Sequence, residues 1–157
     1  MNVTAFDIAQ RFIGVKEVPG AEDNPHVLAM LRLDASWPSH DEVPWCSAFV
    51  NYVAWLLRLP RSKSLRARSW LEIGHTVEPQ DAKVGFDVVI LQRGGGEQPG
   101  PDVLQAPGHV GLFAGLELDR GDASRDNVMV LGGNQGNTVS IRPYPKIRLL
   151  GIRRLSS

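Results

Sequence analysis

Two hydrophobic periods divide the chain, a helical one first and an alternating one after it. Thr4 followed by Asp7 has the form of a helix cap, and Ala5, Ile8, Ala9, Phe12 and Ile13 then recur at the spacing of one buried helical face. This first helix is expected to end near Pro19-Gly20. A short second helix follows Pro25 through His26–Leu33, and Ser36, Pro38, Ser39, His40, Asp41 and Glu42 then make a polar connection. Pro44 opens a third helix in which Cys46, Phe49, Val50, Val53 and Leu57 share a face, so that Cys46 looks inward from its first turn. A fourth helical piece is predicted over Ala67–Ile73.

Beyond that point the pattern becomes extended. Strands are predicted at Asp87–Gln92, His109–Leu116, Asn127–Leu131, Thr138–Arg142 and Arg148–Arg154, separated by Gly, Pro and Asp clusters. Helices first and strands second predict an α+β fold, N-terminal helices packed on an antiparallel β-sheet. Gly94–Gly108 reads as a long surface loop, and no repeat or linker interrupts residues 1–157, which are expected to form a single domain.

Composition narrows the function classes. Seventeen basic and seventeen acidic residues give a net charge of zero, which removes the electrostatic ground for nucleic-acid binding. The longest apolar run, Trp45–Leu57, is too short to span a bilayer and contains Asn51, so no stable membrane insertion is expected. The N-terminal stretch carries Asp7 and Arg11 and has neither a basic start nor a continuous apolar core, so no cleavable signal peptide is expected. One cysteine and four scattered histidines show no ligand spacing, so neither a metal nor another cofactor is expected.

The lone cysteine is the chemical question. Alone it is most simply a small buried hydrophobe. A thiol becomes a nucleophile only as thiolate, however, and a helix N-terminus and a neighbouring imidazolium both favour that form. Cys46 has the first by position. Among the histidines, His109 opens an apolar strand, and alternation puts His109, Gly111 and Phe113 on one face, with Gly111 leaving space beside the ring. A third group is needed to fix the imidazole, and Asn134 is the candidate, after the two glycines Gly132 and Gly133. The same Gly-Gly-Asn-Gln-Gly-Asn run also fits an ordinary hairpin turn, an alternative that extends to Gln135 and Asn137.

Three segments, Pro44-Trp45-Cys46-Ser47-Ala48-Phe49-Val50-Asn51, Gly108-His109-Val110-Gly111 and Gly132-Gly133-Asn134-Gln135-Gly136-Asn137, resemble small phage and bacterial CHAP amidases and, more distantly, NlpC-type papain-like peptidases. The resemblance extends to Ile13–Gly20, Ala67–Leu71 and Tyr144-Pro145-Lys146, nearly end to end. It departs from the group at Gly85-Phe86-Asp87-Val88, where a Pro-Gly-Asp turn is common, and in the length of the Arg93–Pro107 loop. What it implies is a papain-like fold with Cys46 as nucleophile, His109 as base and Asn134 as orienting group. The implied activity is hydrolysis of a peptidoglycan amide bond, as an N-acetylmuramoyl-L-alanine amidase or an endopeptidase, in a phage lysin or a secreted antibacterial effector.

Trp45 and Trp70 are then candidate walls of a substrate groove, Gln135 a candidate substrate contact, and Asp41 and Glu42 candidate receivers of a wall-peptide amine. The expected partner is peptidoglycan, met by a monomer acting in the periplasm or on the cell wall, with an immunity protein added in the effector case. Two rivals compete: a non-catalytic glycan- or peptide-binding module built on the four tryptophans, and a thiol transferase or protease acting on protein.

Overall fold

The computed structural model describes residues 2–18, 23–38 and 44–156. Three α-helices, α1 (Ala5–Gln10), α2 (Pro25–Leu31) and α3 (Cys46–Leu56), precede six strands: β1 (His75–Thr76), β2 (Asp87–Gln92), β3 (Gly108–Glu117), β4 (Asn127–Gly132), β5 (Ser140–Pro145) and β6 (Leu149–Arg154). The strands form one sheet in the order β1-β6-β2-β3-β4-β5, and every pairing is antiparallel. The architecture is therefore the α+β arrangement predicted from the pattern.

The first helix starts where its cap residues dictate. Thr4 Oγ1 accepts the Asp7 N–H at 3.1 Å while an Asp7 carboxylate oxygen accepts the Thr4 N–H at 2.9 Å, closing the box on both sides. The helix is shorter than expected. It stops at Gln10, the chain runs on in turns through Gly14, and Lys16 then bridges Thr138 across the sheet edge. Ile13 is consequently half exposed instead of buried, whereas Phe12 packs edge-on against Phe49 and Tyr52. Pro19-Gly20, where the helix was expected to end, lies outside the described residues, as does the 39–42 part of the polar connection, with Asp41 and Glu42.

The fourth helical piece is a 3-10 helix, Ala67–Glu72. The two-residue β1 is too short to leave a periodic signal. At the other edge β5 runs on to Pro145, past the predicted end at Arg142. Pro143 and Pro145 are tolerated because β5 has a neighbour on one side only, so their missing N–H groups interrupt no ladder.

Alternation decides what each face of the sheet buries. Val88, Ile90, Val110, Leu112 and Leu131 belong to the core shared with Phe49, Val50 and Val53 of α3. Val89, Leu91, Phe113, Val128, Val130 and Ile152 form a second cluster, covered by Tyr144 and Leu149. Among the described residues no helix is long and apolar enough to cross a membrane.

Candidate active site

Cys46 is the first residue of α3, and Trp45 before it offers no side-chain cap. The N–H groups of that first turn have no intrahelical acceptors, so they leave positive potential beside the thiol. The side chain of His109 and the backbone N–H of Val110 both lie where they favour the Cys46 thiolate. Helix start and strand start thus meet end on. This corrects the expectation that a gap at Gly111 receives the partner: a Cβ there would collide with Val130 Cγ1 and lie 2.8 Å from the Leu131 carbonyl, so β4 fills that space.

The other side of the ring is held by Gln135. His109 Nε2 lies 2.9 Å from Gln135 Oε1. The Gln135 amide nitrogen donates to the Ser140 carbonyl at 2.7 Å and the Val130 carbonyl at 3.2 Å, which fixes the orientation of the amide because the flipped form would set oxygen against two carbonyls. Oε1 is therefore an acceptor, and the ring nitrogen facing it carries the proton. That leaves Nδ1 for the thiol.

The two glycines before this turn make it possible. A Cβ on Gly132 would lie 2.6 Å from Gln135 Oε1, and one on Gly133 would lie 2.7 Å from the Trp45 ring and 2.8 Å from Phe49 Cβ. The strand end can therefore close on both the imidazole and α3 only without side chains there. Asn134 occupies the left-handed region, with φ of 58°, as a turn residue. The geometry brings Gln135, and not Asn134, to His109: the longer side chain reaches back beneath Gly132.

The remaining candidates also fall elsewhere than expected. Trp45 is 0% exposed and its indole N–H donates to Glu17 Oε1 at 2.9 Å, so it supports α3 from behind and walls no groove. Trp70 is equally buried and donates to Ser47 Oγ at 3.0 Å. Gln135, expected to touch substrate, is 2% exposed and engaged with His109. Tyr144, to which no role was assigned, lies against the imidazole with its hydroxyl 3.3 Å from Nε2 and the ring centroids 5.2 Å apart. Burial pushes its phenol up to about 12, so it is neutral at physiological pH. Its parity with Ser140 along β5 was the available signal.

Burial disfavours ionisation of Cys46, but the hydrogen bond and charge of His109, the Val110 N–H and the charge of Arg93 together lower the thiol below its ordinary value. For His109 burial likewise opposes the charged form, and the bonds to Cys46 and Gln135 outweigh it, raising the ring above the ordinary histidine value. The two shifts are one coupled interaction, in which each group favours the charged form of the other. Cys46 lines a surface groove of about 550 Å³ together with Pro44, Ala67, Gly108, Arg66 and Arg93. A hollow of about 670 Å³ at the far end of α3, around Trp55 and Pro60, has no cysteine, serine or histidine among its described lining residues. Among the described residues no group of His, Cys, Asp or Glu comes together to hold a metal ion.

No family model matches the sequence, and no curated protein matches it either. Among solved structures the chain is similar to NlpC1 from Trichomonas vaginalis, with a TM-score of 0.55 and 18% identity, over 96% of this chain and 42% of that one. The fold is NlpC-type and papain-like. This chain spans less than half the length of the NlpC1 structure, and the likeness is one of fold. In this chain the helix carrying Cys46 packs against the strand carrying His109.

One variant tests the ring's support. Gln135→Leu keeps the volume and removes the acceptor, so the imidazolium loses a stabilising bond and its pKa falls; the thiol, less well paired, ionises at higher pH. Alkylation of Cys46 by iodoacetamide at about pH 6 should slow about fivefold, with the acid limb of the rate profile moved upward. An unchanged profile would mean that Gln135 does not tune the pair.

Proposed function

We propose that this protein is a cysteine hydrolase that cleaves an amide bond of bacterial peptidoglycan, an N-acetylmuramoyl-L-alanine amidase or an endopeptidase. The observation that carries the reading is the continuous chain of Cys46, His109 and Gln135 with its tautomer fixed, opening on a groove. The NlpC-type fold and the near full-length sequence resemblance to small wall amidases supply the substrate class.

The Cys46 thiolate attacks the amide carbon, and the carbonyl electrons move onto oxygen, where the Cys46 N–H of the uncapped first turn is the donor in reach. His109 gives its Nδ1 proton to the leaving nitrogen, the carbon–nitrogen bond breaks, and a thioester with a free amine remains. Water then adds to the thioester, losing its proton to the neutral His109; the carboxylic acid departs and the thiolate–imidazolium pair is restored. Gln135 holds the ring's other N–H through both steps. Substrate contact around the groove belongs to Arg66, Arg93 and the Arg93–Pro107 loop, with Asn134 left as a turn residue. In this reading the protein acts on the wall, as a lysin or as a secreted effector with an immunity protein for partner.

The test is digestion of purified peptidoglycan by untreated protein and by protein alkylated at Cys46, with released fragments separated by mass spectrometry. The expected result is a new amine and a new carboxylate in equal amounts from the untreated protein and neither from the alkylated one. Equal cutting by both would remove Cys46 from the mechanism, and sedimentation with the wall without release would favour the binding module.

A further inference from the structure

The groove beside Cys46 has a chemical bias. Arg66, which directly precedes the 3-10 helix Ala67–Glu72, and Arg93, which follows β2, both line it. Both are exposed, and among the described residues neither forms an ion pair. The other polar side chains lining it are neutral, Gln98 and Gln105, and no carboxylate is among the described lining residues. Gln92 pairs with Gly108 in the antiparallel ladder, so Arg93 follows at the level of Pro107, two residues before His109.

A third arginine sits beneath the loop that makes one wall. Arg68 is 0% exposed, and its guanidinium donates to the carbonyls of Gly100 at 2.7 Å, Pro99 at 3.0 Å, Pro107 at 3.0 Å and Val103 at 3.2 Å. Its Nη2 has no partner among the described residues. Two consequences follow from the chemistry. Four carbonyl oxygens, each a partial negative charge, are drawn inward and away from the groove. An arginine stays protonated under almost any condition, so a buried positive charge lies behind the same wall.

Resting on the reading of Cys46 as the nucleophile of an amide hydrolase, we propose that this groove is a subsite for a carboxylate, held between Arg66 and Arg93, so that the peptide cut here carries a free carboxylate close to the scissile amide. A guanidinium recognises that group by two parallel N–H bonds, a geometry that no neutral carboxamide reproduces. Arg93 also lies close enough to Cys46 to favour its thiolate. A bound carboxylate would partly neutralise that charge while bringing the amide to the sulfur. Arg68 touches no substrate in this proposal; it positions the wall.

The experiment reads the thiol itself and does not depend on wall hydrolysis. Cys46 in the full chain is alkylated with iodoacetate and with iodoacetamide, which differ in a carboxylate against a carboxamide, and the ratio of the two rates is compared with that of Arg66→Gln, Arg93→Gln and the double variant. The imidazolium of His109 contributes equally to the ratio in all four proteins, so the difference belongs to the arginines. The expected result is a ratio about threefold lower in each single variant and about tenfold lower in the double, with the wild-type preference reduced by salt. A ratio unchanged in the double variant, with its melting curve that of the wild type, would overturn the subsite. A preference lost in the double variant in a protein that cuts no wall would retain the subsite and remove the hydrolase, so the two failures are distinguishable.

Discussion

Cys46→Ala is expected to lower amide hydrolysis about 10⁴-fold or more while leaving a folded protein. The thiolate supplies the bond-forming electron pair, and nothing else in the groove of Cys46, Pro44, Ala67 and Gly108 can replace it. The structural cost is small, about 1 kcal/mol, because only one sulfur leaves a buried site. A second readout separates lost chemistry from lost folding. With the thiolate gone, burial dominates at His109 and its pKa falls from its raised value, which ring-proton NMR would follow directly. A folded Cys46→Ala protein that still hydrolyses at more than a tenth of the wild-type rate would refute the nucleophile.

The largest expected loss of stability belongs to Trp45→Ala. The indole is 0% exposed, donates to Glu17, and would meet any side chain placed at Gly133. Truncation therefore opens a cavity between α3 and the end of β4 and strands a half-buried carboxylate, at a cost of about 3–5 kcal/mol, or about 10 °C in melting temperature for a chain of this size. Trp45→Phe keeps most of the volume and loses the hydrogen bond, about 1 kcal/mol. Thermal and urea melts of the two variants check this. If Trp45→Ala melted with the wild type and lost only wall binding, the side chain would have to face substrate after all.

These two neighbours show which parts of the site the sequence discloses. Cys46 and His109 are legible because each stands where a regular element begins, Pro44 marking the helix start and Gly108 the strand start. Trp45 is not, because burial of a residue just outside a helix depends on what the rest of the chain brings over it, here Gly133 and Glu17 from distant segments. The choice between Asn134 and Gln135 turns on the left-handed conformation of Asn134 in a turn of three glycines and three amides, and turn chemistry accepts Asn there without saying which side chain then points inward. The end of β5 beyond Arg142 is hidden by Pro143 and Pro145, because a proline argues against a strand until its edge position is known. The arginines of the groove carry no periodic signal at all; only the tertiary fold brings Arg66 and Arg93 to one place.

The strand order sets the schedule on which the sheet is completed. β6 pairs with β2 on one side and β1 on the other, so residues 149–154 fill the interior of the sheet although they come last among its strands. Until they leave the ribosome, β2 presents one unpaired edge of Val88, Val89, Ile90 and Leu91, four residues that end fully buried. The strand carrying His109 rests on that same β2 through the Leu91 pairing. In a nascent chain His109 therefore stands on a half-built sheet, whose interior closes only when residues 149–154 pair with β2.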